Sequence, residues 1–325
     1  MHVAIIGAAG MVGVKLTQAL IEPSARHGLE IEALTLIDVV EPPLPETFQG
    51  ELRREVRDLS ATGEAQRLVE QRPDLIFHLA AIVSGEAERD FDKGYRINLD
   101  GTRELFDAIR QANLSSGYCP RLVFTSSIAV FGAPLPERIG DDFHSTPLTS
   151  YGTQKAICEL LLADYTRRGF FDGIGIRLPT LCVRPGKPNL AASGFFSNII
   201  REPLVGQPAI LPVPREVRHW FASPRSAVGF LLHAATIDTA LIGPRRSLSM
   251  PGVSATVDDQ IKALRRVAGD AAVALIEERP DPEIIAMVSG WAPGFDAERA
   301  TALGFTAERD FEQIIRAHIE DELEP

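Results

Sequence analysis

The stretch HVAIIGAAGMVG, residues 2–13, joins an apolar run to three regularly spaced glycines. The run 2–6 predicts a buried strand, and Gly7, Gly10 and Gly13 follow at the start of a helical pattern. Glycine at the turn admits positive φ, the second glycine lets a pyrophosphate approach backbone N–H groups, and the third allows close helix–strand packing. The stretch therefore predicts a strand, turn and helix that bind a dinucleotide at the helix N-terminus.

The next 170 or so residues repeat this alternation of strands and helices, which is typical of a parallel sheet covered by helices. Helices are predicted over 95–112 and 151–168, and the second carries an apolar stripe that should face the sheet or a second subunit. The stripe consists of Ile157, Leu160, Leu161 and Tyr165. Further strands are predicted at 34–37, 55–57, 75–79, 122–124 and 174–177.

Proline and glycine become frequent after Leu178, in PGKPN (185–189) and REPLVGQPAILPVP (201–214), and this change marks a domain boundary. Residues 1–178 are predicted to form the NAD-binding Rossmann domain, with a return segment near 218–235. Residues 179–325 are expected to form mainly the substrate-binding lobe. The fold class is thus α/β, a doubly wound parallel-sheet Rossmann domain of six strands with a smaller C-terminal substrate-binding lobe.

The 325-residue chain has a net charge of -11 and a pI near 5.2, without a dense basic cluster, so nucleic acid is not an expected partner. It has no run of eighteen apolar residues, and the apolar opening lacks the positive segment of a signal peptide. A cytoplasmic protein with no membrane contact is expected. Cys119, Cys158 and Cys182 are not in metal spacing and are expected to be buried, reduced thiols.

Asp38 ends the second predicted strand, in LTLIDVV (34–40), where a carboxylate can bind the adenosine ribose hydroxyls. It would repel a 2′-phosphate, and VVEPPLPE (39–46) offers no compensating cation, so NAD is favoured over NADP. Ala80 and Ala81 are small residues at the end of the fourth predicted strand, 75–79. They lie at the edge where ligands of such sheets bind. His78 is expected to pack within that strand.

The segment TSYGTQKAICELL (149–161) places Tyr151 one helical turn before Lys155. A cation there favours tyrosinate over tyrosine, and a tyrosinate can act as a base. In LVFTSSIAVFG (122–132) three hydroxyl residues end the fifth strand, and a serine there could hold a substrate alcohol beside the tyrosine. Taken singly, each motif is also compatible with an ordinary amphipathic helix or strand end.

In their order along the chain, GAAGMVG, HLAAIVS, NLDGT, TSSIAVFG and YGTQK resemble the extended short-chain dehydrogenase/reductase superfamily. The resemblance implies that Tyr151 is the acid/base, that Lys155 lowers the tyrosine pKa and holds the nicotinamide ribose, and that Ser127 polarises the substrate hydroxyl. It implies that Asn98 orders the active-site helix or a proton-relay water. Phe131 stands where the family customarily has a tyrosine.

Asp58 and Leu59, which follow the third predicted strand, are candidates to contact the adenine edge and ring. The resemblance also implies a homodimer formed through helices 95–112 and 151–168. The residues predicted to bind the cofactor are Gly7, Gly10, Met11, Val12, Gly13, Asp38, Asp58, Leu59, Ala80, Ala81, Ser126, Tyr151, Lys155 and Pro179.

Two reaction groups of the superfamily are disfavoured. Dehydratases carry acidic residues after the strand-end hydroxyl, where this chain has Ile128 and Ala129. Of the epimerase segment resembling RDxxHVDD, only Arg218 is kept. Similarity to the D-erythronate dehydrogenases, through HLAAIVSGEAERDFDKGYRINLDGT, RLPTLCVRPGKPN, ASGFFSNIIREPL and IIRAHIEDEL, implies oxidation of a short sugar acid at C2, D-erythronate to 2-dehydro-D-erythronate being preferred. A nucleotide-sugar 4-epimerase and a non-catalytic dinucleotide-sensing protein are the alternatives.

A carboxylate substrate needs a cation, and Arg218 is the preferred candidate. The others are Arg184, Lys187 and Arg225. Ser84 follows the fourth strand at a position where the similar threonine dehydrogenases contact their substrate. The predicted substrate contacts are Ser84, Ser127, Tyr151 and Arg218. Phe195 and Phe196 are expected either to shape a lid or to pack in the core.

Overall fold

The computed structural model describes residues 1–22, 28–45, 47–186 and 193–324. The chain forms two compact units, each assembled from separate segments. The first contains Met1–Ser127, Thr149–Arg177 and Val228–Leu248, and the second contains Ile128–Leu148, Leu178–Ala227 and Ser249–Pro325. Residues 128–148 therefore belong with the second unit. The segment that returns to the first, Val228–Leu248, overlaps the predicted 218–235 over residues 228–235 and extends further along the chain. None of the described helices is both long and apolar enough to cross a membrane.

The strands of the described chain lie in three sheets. In chain order they are β1 (His2–Ile6), β2 (Ala33–Asp38), β3 (Glu51–Val56), β4 (Leu75–His78), β5 (Arg121–Ser127), β6 (Asp172–Leu178), β7 (Thr180–Leu181), β8 (Ala209–Leu211), β9 (Arg218–Ala222), β10 (Ser247–Ser249), β11 (Val253–Thr256) and β12 (Ile276–Glu278).

Within the described residues the first unit is built on a seven-stranded sheet of order β10-β6-β5-β4-β1-β2-β3. The pairs β1–β2, β1–β4, β2–β3 and β4–β5 are parallel. With helices flanking the sheet, the doubly wound α/β fold is confirmed. The prediction of six strands was wrong, because the sheet has a seventh, the short strand β10. The third strand lies at Glu51–Val56 rather than 55–57. Its sequence ELRREV has no apolar run because an edge strand is largely exposed.

The helices are, in chain order, α1 (Met11–Ile21), α2 (Glu64–Glu70), α3 (Ser84–Arg89), α4 (Phe91–Gly94), α5 (Gly101–Ser116), α6 (Ser150–Arg167), α7 (Gly194–Leu204), α8 (Pro224–Thr236), α9 (Val257–Val273), α10 (Pro282–Val288), α11 (Glu298–Ala302) and α12 (Phe311–His318). A π-helical segment, Tyr95–Asp100, leads into α5, and another, Ile319–Leu323, follows α12. Two 3₁₀ turns lie at Ile128–Val130 and Thr239–Ile242.

Helix α6 buries only part of its apolar stripe. Its buried residues are Gly152, Gln154, Lys155, Cys158, Glu159 and Leu162, whereas Leu160 is 73% exposed. The predicted stripe is therefore divided: Leu161 and Tyr165 pack against the core of the first unit, whereas Leu160 does not, and a second subunit remains the expected partner of the exposed part. Lys155 and Glu159 are tolerated there because they find hydrogen-bond partners on the sheet, as described below.

The second unit has a described three-stranded sheet of order β11-β9-β7 and the pair β12-β8. Its core includes Phe195 and Phe196, which are both buried. The Phe196 ring stacks on His219 with 5.6 Å between centroids. Of the two alternatives, a lid and the core, the core position is confirmed for these phenylalanines, because both rings are enclosed by apolar neighbours.

The three cysteines are free thiols. Cys158 and Cys182 are buried, as expected, but Cys119 is exposed. Burial raises the pKa of the Cys158 thiol to about 11, so it is protonated at neutral pH.

Candidate active site

The turn between β1 and α1 requires glycine at two of its three glycine positions. Gly7 has a φ of +91°, and a Cβ there would lie 2.7 Å from the backbone nitrogen of Ala80. A Cβ on Gly13 would lie 2.2 Å from the Gly7 carbonyl oxygen. At Gly10 the nearest such atom is 3.4 Å away, and this residue has no side chain to cap α1. The backbone N–H groups that open α1, where Met11 lies, can therefore be approached by an anion.

Asp38 is fixed against this turn. Its carboxylate accepts hydrogen bonds from the backbone N–H of Ala9 at 2.9 Å and from its neighbour Val39 at 2.7 Å. The backbone N–H of Gly7 in turn donates to the Ile37 carbonyl. A carboxylate held at this position keeps lone pairs for ribose hydroxyls and opposes a 2′-phosphate.

Asp58, predicted at the adenine, lies after β3 in a hydrogen-bonded cluster. Its carboxylate accepts bonds from the backbone and hydroxyl of Ser60 and from Arg96 at 3.0 Å. Partial burial opposes ionisation, but these bonds outweigh it and hold the pKa of Asp58 below its usual value. Leu59 is buried. The sequence did not predict Arg96, because it is far from Asp58 along the chain.

Lys155 is buried on α6 and its ammonium group is held in place. Nζ donates to the Thr125 carbonyl at 2.7 Å and lies 5.8 Å from the Tyr151 ring centroid and 4.6 Å from that of Phe124. Burial lowers the Lys155 pKa to about 8, with Cys158 and Glu159 acting in the opposite direction. The side chain is therefore mostly charged at neutral pH, beside the phenol ring.

The two predicted reactive hydroxyl groups belong to residues that lie on adjoining elements. Ser127 ends β5, and Tyr151 lies in the first turn of α6; both are half-buried. The start of α6 is fixed by its cap, because the Thr149 hydroxyl accepts from the Gly152 N–H at 3.0 Å and Glu88 accepts from the Ser150 N–H. The hydrogen bond from Lys155 ties the same helix to the end of β5.

Asn98 lies in the π-helical segment and is buried. Its Oδ1 accepts from the Ile82 N–H at 2.9 Å, and its Nδ2 donates to the Ile82 carbonyl at 3.2 Å and to Oε1 of Gln154 at 2.8 Å. Asn98 thus joins the loop after β4 to α6, which favours the helix-ordering role over the water relay. Gln154 was not predicted from the sequence, although its position between Tyr151 and Lys155 places it on the same helical turn.

Ser126, predicted to contact the cofactor, has a buried side chain. Its hydroxyl donates to Glu159 on α6 at 2.5 Å, so its side chain is engaged within the protein and a cofactor contact would use its backbone. Arg177 on β6 pairs with the same carboxylate at 2.6 Å. Neither Glu159 nor Arg177 was predicted from the sequence.

The end of β4 supplies the remaining predicted contacts of the first unit. Ala80 and Ala81 follow the strand and are half-buried, and Ser84 begins α3 and is half-buried. His78 is buried and shares a hydrogen bond with Thr102 at 2.9 Å. Burial, with a smaller effect of Lys155, lowers the His78 pKa to about 3, so the ring is neutral and packed within the strand.

The model of the NAD dependent epimerase/dehydratase family matches residues 3–223, which is more than half of the chain. The chain belongs to this family. It is accordingly an NAD-dependent oxidoreductase, and the uncapped α1 N-terminus, the glycines that exclude a Cβ and the fixed Asp38 fit that cofactor.

Three relatives of this family member are similar over nearly its whole length. The D-erythronate dehydrogenase of Cupriavidus necator is 44% identical, covering 99% of this chain and 98% of the relative. The D-erythronate dehydrogenase of Haemophilus influenzae is 41% identical, covering 98% of this chain and 99% of the relative. A crystal structure described as the nucleoside-diphosphate-sugar epimerase from Agrobacterium tumefaciens is 71% identical with a TM-score of 0.98, covering 100% of this chain and 95% of that chain.

Among the described arginines of the second unit that could bind a substrate carboxylate, Arg184 and Arg225 are held by other residues of that unit. Arg184 donates to the Leu181 carbonyl and to Ser193. Arg225 pairs with two acidic residues of the C-terminal segment, at 2.9 and 2.5 Å. Lys187 lies outside the described residues, and Pro179 is buried.

Arg218 itself lines a cleft of about 340 Å³ together with Glu137 and Trp291. It is exposed, and its contacts are long: 3.4 Å to the Ser254 carbonyl and 3.9 Å to Asp259. An exposed guanidinium with long contacts can exchange them for a ligand carboxylate at lower cost than the paired Arg225.

Proposed function

We propose that this protein oxidises a short sugar acid at its C2 hydroxyl, and that the preferred reaction converts D-erythronate to 2-dehydro-D-erythronate. The observation that carries the chemistry is the buried Lys155 ammonium, held on the Thr125 carbonyl near the Tyr151 ring. Similarity to two D-erythronate dehydrogenases over nearly the full chain supports the choice of substrate.

The proposed roles follow from charge and position. When bound, NAD supplies the hydride acceptor. Tyr151 as phenolate takes the proton of the C2 hydroxyl, and Ser127 donates a hydrogen bond to the same oxygen. Bringing a phenol from a pKa of about 10 to about 7 takes about 4 kcal/mol of preferential stabilisation of its anion. The ammonium group of Lys155 contributes to this stabilisation because it is desolvated and close to the ring.

The test of the base is Tyr151→Phe, assayed by NADH formation from D-erythronate and by NAD binding in calorimetry. The variant should lose turnover by about a thousandfold or more, because no other group replaces the phenolate, while NAD still binds. The matched control is Tyr165→Phe on the same helix, whose hydroxyl donates to Asp107 at 2.8 Å, and this variant should keep the parent turnover. Parent turnover in Tyr151→Phe would contradict the proposal.

The test of the carboxylate site is Arg218→Gln, with Arg225→Gln as the control. If Arg218 binds the substrate carboxylate, its loss should raise KM for D-erythronate by about tenfold to a hundredfold, the usual effect of losing a charged hydrogen bond. Arg225→Gln should leave KM unchanged because Arg225 is paired internally. Equal effects of the two variants would remove Arg218 from this role.

A nucleotide-sugar 4-epimerase is the second candidate, because the Agrobacterium tumefaciens relative described as a nucleoside-diphosphate-sugar epimerase is 71% identical. An epimerase regenerates its oxidised cofactor and produces no net NADH. Incubation with a panel of four-carbon sugar acids, threonine and UDP-sugars separates the two functions. Net NADH from a sugar acid supports the dehydrogenase, whereas a change of sugar configuration without NADH supports the epimerase.

We also propose that the protein is a homodimer formed through α5 and α6. The support is the exposed apolar surface on these helices, where Leu160 is 73% exposed and Leu114 is 64% exposed. Sedimentation should give a dimer for the parent chain and a monomer for Leu160→Glu. A monomeric parent chain would contradict this assembly.

A further inference from the structure

One buried carboxylate connects the catalytic helix to two strands of the sheet. Glu159 lies on α6 and is 5% exposed. Its Oε1 accepts from the Ser126 hydroxyl at 2.5 Å and from Nε of Arg177 at 2.8 Å, and its Oε2 accepts from Nη2 of Arg177 at 2.6 Å. Ser126 is on β5 and Arg177 is on the adjacent strand β6. Glu159 therefore fixes the end of β5 at the residue that precedes Ser127.

Stability alone does not account for this arrangement. A buried ion pair gains its Coulomb attraction at the cost of desolvating two charges, and well-packed apolar residues are often as stable. A bidentate pair with a third hydrogen bond does fix direction and spacing. The pair also lies next to a group whose charge matters to the proposed reaction, because Glu159 follows Lys155 by one helical turn.

Few groups in the described structure affect the protonation of Lys155. On its own helix, Cys158 and Glu159 favour the charged form, and burial opposes it. From β4 the neighbour is His78, which is neutral above a pKa of about 3. From β5 the contacts are the Thr125 carbonyl and the Phe124 ring, neither of which titrates. Tyr151, whose phenolate is the base of the proposed reaction, lies on the same helix with its ring 5.8 Å from the ammonium. The Cys158 thiol is protonated at neutral pH, so Glu159 is the carboxylate among these neighbours.

We propose that Glu159 is a positioning residue: it holds the end of β5 in place for Ser127, and its negative charge, balanced by Arg177, keeps the buried Lys155 in its ammonium form. This inference rests on the proposed function, which assigns the roles of Lys155 and Ser127. It predicts effects of opposite sign for the two members of the ion pair, which a loosened structure would not produce.

The direction of each effect follows from charge. Glu159→Gln removes an anion and keeps the positive charge of Arg177, so Lys155 should lose its proton at lower pH. Arg177→Gln leaves Glu159 as an unpaired anion, so Lys155 should keep its proton to higher pH. The double variant removes equal and opposite charges and should return the titration midpoint close to that of the parent.

The experiment is an NMR titration of the full chain labelled with ¹³C at lysine. The chain has five lysines, and Lys155→Met identifies the Lys155 signal. The midpoint should fall by about one pH unit in Glu159→Gln and rise in Arg177→Gln, as expected for removing one charge at this range in a partly polarisable interior. Asp164→Asn, an exposed acidic position on the same helix, is the control and should leave the midpoint unchanged.

A second readout tests the link to catalysis. The alkaline limb of the pH profile for NADH formation should move to lower pH in Glu159→Gln and return in the double variant. If the titration midpoint of Lys155 stays fixed, or moves in the same direction in both single variants, the role of Glu159 is overturned. This conclusion does not depend on the measured activity. Midpoints that move as expected without any change in the pH profile would instead contradict the proposed function of Lys155. If Glu159→Gln does not fold, Arg177→Gln and the double variant carry the same comparison.

Discussion

Replacing Lys155 with methionine should abolish turnover and yet stabilise the protein without its cofactor. Lys155 is buried and its pKa is lowered to about 8 by burial, from an ordinary value of 10.5. The folded state therefore holds a charge that the unfolded chain carries in water at no such cost. Methionine has a similar length and fills the space without a charge.

The size of the effect follows from the two pKa values. Since one pKa unit corresponds to about 1.4 kcal/mol, the difference between 10.5 and about 8 corresponds to about 3 kcal/mol of unfavourable free energy below pH 8. The variant also loses the hydrogen bond to the Thr125 carbonyl, which costs about 1 kcal/mol. The net gain in the free energy of unfolding near pH 7 should be about 2 kcal/mol.

The pH dependence gives this prediction its sign. Because the folded-state pKa of Lys155 is lowered, the destabilisation is complete below about pH 8 and disappears as the pH rises towards 10.5, where the unfolded chain also loses the proton. The advantage of the methionine variant should therefore shrink between pH 8 and 10.5. Above that range only the lost hydrogen bond remains, and the parent should be slightly more stable.

The assay is thermal unfolding of the parent and variant without NAD at pH 7 and pH 10. At pH 7 the variant should unfold roughly 2–5 °C higher. Lys262→Met is the matched control, because Lys262 is 57% exposed and its ion pair with Asp258 contributes little. A variant that is less stable than the parent at pH 7, or an equal difference at both pH values, would refute the reasoning.

Three further predictions concern the scaffold of the site. Gly13→Ala should lower Tm, because its Cβ would lie 2.2 Å from a backbone oxygen. Gly10→Ala should keep the parent Tm and weaken NAD binding in calorimetry. Equal losses of Tm in the two variants would contradict this prediction. Asn98→Ala should destabilise the protein by about 2–3 kcal/mol in thermal unfolding, because it removes the hydrogen bonds of Asn98 with the Ile82 backbone and with Gln154; an unchanged Tm would exclude this role. Burial holds the His219 pKa at about 4, although the hydrogen bond that its ring donates to the Ala292 carbonyl acts in the opposite direction. Stability should therefore fall as the pH drops from 6.5 towards 4, and less steeply in His219→Gln; identical slopes would refute the assignment.

The sequence predicted features that depend on neighbouring residues. The strand and turn that carry Gly7 and Gly13 were recognisable because local backbone geometry demands glycine there. Asp38 was placed correctly at the end of β2 because the apolar run before it predicts a buried strand. The third strand was misplaced because β3 is an exposed edge strand, and its sequence lacks the apolar pattern on which the prediction depends.

The hydrogen-bond partners of the site were not predictable in this way. Asp58 is paired with Arg96, and Glu159 with Arg177, across intervals of sequence that carry no periodic signal. The burial of Lys155 and Glu159 on α6 was not predicted because periodicity assigns apolar residues to the interior. Polar residues take that face here because the sheet offers a carbonyl, a hydroxyl and a guanidinium to satisfy them.

The sequence by itself determined the fold class, the dinucleotide-binding turn and the one-turn spacing of Tyr151 and Lys155, because each is set by interactions within a few residues. Only the tertiary structure decided that Lys155 is buried against the end of β5 and that Glu159 lies between two strands. The physical reason is that desolvation and ion pairing depend on every group that surrounds a side chain in space, and most of those groups are distant along the chain.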